Sequence, residues 1–390
     1  MIPALEARGN TVPETWDAAL IKLWKEGMMI RTQYDYEPNT KIWNPPSKDC
    51  SMRMIVQNST AEPRLHICLE GGPEQLGDYE TEVVMGLKDD WVKKTPRDTK
   101  WTYTYSGRLR SYGNRMNFAS ALEERKQTSW THLAYARPTG YYTGTDYYGE
   151  PYGFTEHINY DPIEPFDQIE FIVQQITEHP YTRRAVATTG FPPGDAKTED
   201  PPCLRQVWAR GYYEDGCLKI DMHTHWRSRD AWGAALFNMY ALTQLHDDIC
   251  NRVQTALVEK HSKLIHDMRM FIKREDAVCP VCSDPLTING GYANKIGCYD
   301  LFCENCQLHP FLVKTGAYLD ESDSFHVYGI DMKDFEERFV RGVHGLNPET
   351  GEQERDPMPL ERRYIDLTED PWAQMLEDGR EKAINRREKE

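Results

Sequence analysis

The side chains best suited to chemistry in this chain gather in two short segments. One runs Asp200-Pro201-Pro202-Cys203-Leu204-Arg205-Gln206, preceded by Arg183-Arg184. The other runs Trp226-Arg227-Ser228-Arg229-Asp230, followed by Leu236-Phe237-Asn238, with His326-Val327-Tyr328 further on. A cysteine behind two prolines sits where the chain is held extended before a strand. Arginines close to it lower the thiol pKa and favour the nucleophilic thiolate. Several arginines converging from two segments can bind a phosphate by forked hydrogen bonds. An asparagine near the start of a buried helix both donates and accepts, so it can read an amide-like base edge. Taken singly, each piece is also what a core cysteine or a surface arginine pair looks like.

A third constellation is of another kind. Cys279-Pro-Val-Cys282 is followed by Cys303-Glu-Asn-Cys306. Two such knuckles at this separation can set four thiolates tetrahedrally around Zn²⁺. Asn289-Gly290-Gly291 between them supplies the turn of a zinc ribbon. Four cysteine ligands leave no open position, so the zinc is expected to be structural. Cys298 and His309 fit the spacing less well as substitute ligands.

Certain function classes are excluded by composition. The 390 residues carry a net charge of −16, so no general field draws the chain onto duplex DNA. Zinc ribbons often bind nucleic acid, which makes a nucleic-acid-binding regulatory protein the alternative class. The stretch 275–316 has few basic residues, so nucleic acid is not the expected partner. No apolar run reaches the roughly 18 residues of a membrane span, and the start lacks a signal-peptide pattern. A cytoplasmic protein is expected, in which cysteines serve as thiols, ligands or nucleophiles.

The elements that must position these groups follow from periodicity. Apolar spacing predicts helices over 13–28 (with Arg31 at its end), 75–92 and 166–179. A further helix begins at 231–245, continued by a second over 251–273. Strands are expected within 51–70, over 183–189 and 217–226, and again in 311–332. The aromatic stretch 101–112 reads as strand or loop, and 137–165 as a long ordered loop. Beyond 346 the chain is rich in Pro, Glu and Arg, which predicts a weakly ordered tail with one short helix.

In this order, the motifs resemble the thymidylate synthase and pyrimidine hydroxymethylase family. The resemblance rests on Asp167-Gln168-Ile169, Arg183-Arg184, Pro202-Cys203, Arg227-Ser228-Arg229-Asp230, Phe237-Asn238 and His326-Val327-Tyr328. It implies an α+β fold: a large mixed β-sheet covered by helices, here with an inserted zinc ribbon. The catalytic domain is expected over 1–250 and 311–345, a helical and zinc-ribbon insertion over 251–310, and a polar tail over 346–390. The resemblance implies Cys203 as the nucleophile adding to C6 of dUMP, so that C5 accepts a one-carbon unit from 5,10-methylenetetrahydrofolate. Arg31, Arg183, Arg184, Arg227 and Ser228 are then the phosphate ligands, with the Arg183-Arg184 pair given by the second subunit of a homodimer. Asn238 reads the uracil edge, His326 and Tyr328 the sugar hydroxyl, and Asp230 the pterin. Tyr105 and Glu82 become the proton carriers.

Three departures from the synthases bear on the product. Leu204 stands where they have His, and Met85 where they have Trp. The chain also runs on past Tyr328 to INRREKE instead of ending in an apolar seal. A less sealed site favours water over hydride as the last nucleophile. The expected product is therefore 5-hydroxymethyl-dUMP, as made by phage enzymes that replace thymine. The alternatives are dTMP with dihydrofolate, or hydroxymethylation of dCMP or CMP, whose enzymes have Asp at the position of Asn238.

Overall fold

In the computed structural model, residues 1–37, 41–92, 101–112, 165–191, 195, 200–270, 272, 274–288 and 301–387 are described, with four short strand pieces between 136 and 162. Most of the 137–165 loop, Cys298 and the 289–291 turn lie outside the described residues.

A mixed sheet forms the centre. Its strands are β1 (Ala4–Gly9), β2 (Met28–Ile30), β3 (Ser47–Val56), β4 (Val186–Thr188), β5 (Leu204–Glu214), β6 (Cys217–Trp226), β7 (Arg229–Asp230) and β8 (Val313–Val327). The order is β1-β3-β8-β6-β5-β4, with β2 on β3 and β7 on β8. β1–β3 and β6–β8 are parallel, whereas β5–β6 and β3–β8 are antiparallel. Along β6, Leu218, Ile220, Met222, Thr224 and Trp226 are buried, while Lys219, Asp221, His223 and His225 between them are half-buried. That period of two gives the sheet one apolar face and one mixed face.

The helices are α1 (Val12–Glu26), α2 (Gly72–Glu80), α3 (Tyr105–Arg110), α4 (Gln168–Glu178), α5 (Ala235–Lys260), α6 (Ser262–Arg269) and α7 (Trp372–Arg387). They pack on the sheet and on one another, with α1, α4 and α5 against the sheet itself. In α4 the Asp167 carboxylate accepts from the Ile169 and Glu170 amides, capping the helix start. α5 runs unbroken across position 251, so the expected boundary there falls inside a helix. No described helix is long and apolar enough to cross a membrane.

Three expectations need correction. The 101–112 stretch contains helix α3, because Thr104 Oγ1 accepts from the Gly107 amide and caps a turn that buries Ser106 through Leu109. Capping and burial override the strand preference of its aromatics. The helix over 75–92 ends at Glu80 and passes into a single π turn over Thr81–Met85, a feature common at functional sites.

The third correction is the tail. Tyr364–Ile365 pairs with Leu65–His66, and α7 packs along α2. The two helices cross where each has a glycine. A Cβ on Gly77 would lie 2.3 Å from the Leu376 carbonyl oxygen, and one on Gly379 would lie 2.0 Å from that of Glu74. Arg380 bonds Glu80 at 2.7 Å, flanking the crossing.

One buried carboxylate ties the two ends of the chain together. Asp17 on α1 lies 2.8 Å from His344 Nε2, 3.2 Å from the Arg363 guanidinium and 3.4 Å from His66 Nε2. Burial opposes its charge, but contacts with His344 and His66 hold its carboxyl well below the ordinary range. Burial also lowers the His66 pKa. Both directions mean that acid destabilises the fold. The His66 contribution is lost as pH falls below about 6.5, and the Asp17 contribution below about 4. Asp17→Asn should cost about 3 kcal/mol and flatten the acid limb, measured by urea unfolding between pH 7 and pH 3. An unchanged acid limb would refute this assignment.

Candidate active site

The pairing of β5 with β6 builds the centre of the site. Cys203 is the last residue before β5, and its carbonyl accepts the Arg227 amide at 2.9 Å just beyond the end of β6. The ladder is irregular between Leu204 and Gln206, a bulge that re-aims side chains at this strand end. The Arg227 guanidinium bonds the Pro201 carbonyl at 2.6 Å and the Pro202 carbonyl at 3.2 Å, and lies 3.6 Å from Asp200. Arg227 thus holds the Pro-Pro-Cys segment against the neighbouring strand.

Beside the cysteine opens a cleft of about 680 Å³. Six of the sequence-predicted residues line it: Cys203, Tyr105, Ser228, Asp230, Asn238 and Tyr328. They come from α3, the β5 and β6 ends, β7, α5 and the segment after β8, so only the tertiary fold brings them together. Asp230 bonds the Trp232 and Gly233 amides at 3.1 and 3.0 Å, which turns the chain towards α5. Burial raises the Asp230 pKa, and those two amides oppose the rise. Tyr105 meets Trp226 edge to face at 5.8 Å. Burial pushes its phenol to about 12, so at neutral pH it is a hydrogen-bond donor.

The remaining predicted residues do not line the cleft. Arg31 is exposed, bonds the Asn44 carbonyl at 3.0 Å and stacks over Trp43. Arg183 and Arg184 are exposed ahead of β4. His326 is buried, 3.2 Å from Ser324 and edge-on to the ring of Tyr328 at 4.6 Å. Glu82 is buried in the π turn, 2.9 Å from Lys88 Nζ. Met85, on the same turn, is 55% exposed and is not part of the cleft wall.

Sequence reasoning assigned no role to several residues of the cleft. Tyr79 Oη accepts from Asn238 Nδ2 at 2.6 Å. Its signal was its position three residues before Glu82, on one helical face. Lys88 and Asp78 line the rim, and their spacing carries no periodic signal. Arg229 is fully buried, paired with Asp320 and stacked over Trp226 at 4.2 Å.

The expectation that arginines favour the Cys203 thiolate is corrected. Burial raises the thiol pKa, and although Arg227, Arg205 and Arg229 pull it down, Asp200 adds to the rise. Desolvation outweighs the pull of the three arginines.

The second constellation is assembled as the spacing requires. The Sγ atoms of Cys279, Cys282, Cys303 and Cys306 all lie within 4.8 Å of one another, and those of Cys282 and Cys303 are 3.6 Å apart. A disulfide needs about 2.05 Å. Four bonds of about 2.3 Å to one tetrahedral metal separate the sulfurs by about 3.8 Å, so the donor set fits a metal. The Val281 and Cys306 amides each point at a cysteine sulfur at 3.4 Å, as donors that stabilise thiolates do. His309 lies outside this cluster, its ring packed on Phe302 at 4.8 Å.

Comparison with known proteins agrees with this geometry. Residues 95–278 match the family described as thymidylate synthase. The chain is 37% identical over 90 residues to "Putative thymidylate synthase" of Methanosarcina acetivorans, covering 23% of this chain and 40% of that protein. It is 35% identical over 89 residues to the protein so named in Methanosarcina barkeri, covering 23% and 39%. For that of Methanopyrus kandleri the figures are 35% over 86 residues, covering 22% and 40%. The chain thus spans about two fifths of the length of the curated relatives it matches. Arg31, Glu82, His326 and Tyr328 lie outside the matched residues.

Peptide-resolved alkylation by iodoacetamide tests the electrostatics at Cys203. Its inflection should lie above the ordinary thiol value, and Arg227→Met should raise it by roughly a further pH unit. An inflection near neutrality would contradict the assignment.

Proposed function

We propose, from the match of residues 95–278 to the thymidylate synthase family, that this chain transfers a one-carbon unit to C5 of dUMP through a Cys203 adduct at C6. The observation that carries the proposal is the cleft itself: a half-buried thiol sharing a wall with Asn238, Tyr105 and Ser228. The folate 5,10-methylenetetrahydrofolate supplies the one-carbon unit. C5 of uracil is a weak nucleophile. Addition of the thiolate to C6 makes an enolate and concentrates electron density on C5. After C5 attacks the one-carbon unit, a base removes the C5 proton and elimination expels the folate. Glu82, Tyr105 and ordered water are the proposed proton carriers.

Asn238 suits uracil for a specific reason. One amide N–H is used on Tyr79, which leaves one donor and the carbonyl oxygen. That pair complements the O4 acceptor and N3–H donor of uracil. Ser228 and Arg227 serve the phosphate, joined by Arg31, and Asp230 serves the pterin. His326 and Tyr328 serve the sugar hydroxyl.

We take water as the final nucleophile: it adds to the exocyclic methylene left by elimination of the folate, and expulsion of the Cys203 thiolate from C6 releases 5-hydroxymethyl-dUMP. The support is the charged rim of the cleft, made by Lys88, Asp78 and Asp200. A second reading, hydride transfer giving dTMP and dihydrofolate, is favoured by the names of the relatives. We further propose a cytoplasmic homodimer stacked through the mixed face of the sheet, where the alternate residues of β6 are half-buried. Such a dimer would let Arg183 and Arg184 of one copy serve the cleft of the other. The four-cysteine cluster, between α6 and β8, is proposed to hold a structural Zn²⁺.

Mass spectrometry of the nucleotide after incubation with dUMP and methylenetetrahydrofolate separates the two readings. A gain of CH₂O with no dihydrofolate absorbance is expected. A gain of CH₂ with dihydrofolate overturns the water reading, and an unchanged nucleotide overturns both. Cys203→Ser should lose at least about 10⁴-fold in turnover yet keep dUMP binding.

Metal analysis should give one zinc per chain, and chelation should lower Tm while turnover per folded molecule stays constant. Selective loss of turnover with an intact fold would refute a purely structural metal.

A further inference from the structure

Lys88 stands at the rim of the cleft without an assigned role. Its ammonium lies 2.9 Å from Glu82, on the π turn, and 3.0 Å from Asp78, on α2. It also lies over the rings of Trp91 and Trp101, at 5.6 and 5.7 Å from their centroids. The side chain is only 14% exposed. A lysine confined by two carboxylates and two aromatic faces has lost the mobility of a surface lysine, and its charge is fixed in place. Glu82, by contrast, does not line the cleft; its partner does.

We propose that Lys88 is the positioning residue for Glu82: its caged ammonium keeps the buried carboxylate ionised and aimed at the cleft rim. Burial pushes the Glu82 carboxyl up, and Lys88 is the cation that opposes it. Asp78 and Asp89 act in the other direction. The remaining titratable neighbours are Tyr79 on α2, Tyr105 on α3, and Arg386 on α7, which lies 3.8 Å from Asp78. Glu80, next to the turn, is committed to Arg380. Lys88 is therefore the only described cation in direct contact with Glu82. The C-terminal helix joins this arrangement through Arg386 and Asp78, and so lends charge to the far side of the Lys88 site.

The proposal rests on Glu82 as a proton carrier, but its test does not. The titration of Glu82 is read by ¹³C NMR of protein labelled at the glutamate δ-carbon, with Glu82→Gln identifying the resonance. Lys88→Met should raise the midpoint by roughly one pH unit or more, and Lys88→Arg should restore most of the shift. Asp78→Asn should move the midpoint the opposite way, which keeps the test decisive if Lys88→Met fails to fold. An unchanged midpoint in folded Lys88→Met or Asp78→Asn overturns the proposal. In parallel, the pH profile of C5 hydrogen exchange in dUMP should show its acid limb displaced upward in Lys88→Met. Wild-type protein inert towards dUMP would sink the proposed function, while the NMR result would still judge Lys88.

Discussion

The arrangement depends above all on the antiparallel pairing of β5 with β6. Residues 203 and 227 are far apart on the loop-and-strand path, yet the ladder closes with the Arg227 amide on the Cys203 carbonyl. The same arginine then binds the two proline carbonyls that precede the cysteine. Proline offers no amide N–H, so its carbonyls are the only backbone groups through which this segment can be held. A single residue, through its amide and its guanidinium, therefore immobilises three others, and the thiol is presented at a strand end. Sliding the ladder by one residue would turn Cys203 away from the cleft and expose the apolar face of β6.

Around that centre the structure pairs its buried charges. Arg229 meets Asp320 beneath the cleft, Glu82 meets Lys88 at its rim, and elsewhere Asp17 meets two histidines and an arginine. An unpaired charge at such depth would be costly, so each pair commits its two elements to one relative position. The pairs join β7 to β8, the π turn to the loop after it, and α1 to the C-terminal segment. Elements held in this way tolerate little displacement, as the proposed orientation of a base and a cofactor would require.

Much of this was legible in the sequence wherever one physical signal dominated. The period of two in 217–226 and the apolar spacing of 13–28 and 166–179 gave the right elements. The two Cys-x-x-Cys knuckles do come together in space. Of the residues named for chemistry, Cys203, Asn238, Asp230, Tyr105, Ser228 and Tyr328 meet in one cleft. What escaped was tertiary in origin. α3 forms because Thr104 caps it and its residues are buried, against their own strand preference. α7 is held by two glycines and by ion pairs to α2, neither of which produces apolar periodicity. The raised thiol pKa of Cys203 depends on burial, and sequence spacing reports only the arginines.

The predicted phosphate ligands divide according to how they are held. Arg227 and Ser228 follow directly on β6, and the sheet places them whatever else is present. Arg31, Arg183 and Arg184 are exposed, and solvent offsets their charge at little cost. An arginine kept hydrated loses less on meeting a phosphate than one already committed to a carboxylate, because no existing ion pair must be broken. Arg229, buried and paired with Asp320, is for that reason a poor phosphate ligand although it lines the same cleft. Exposure of the Arg183-Arg184 pair thus accords with the proposed exchange of arginines between two copies. In that arrangement the fold leaves part of each anion site on the surface until a second sheet is laid against the first.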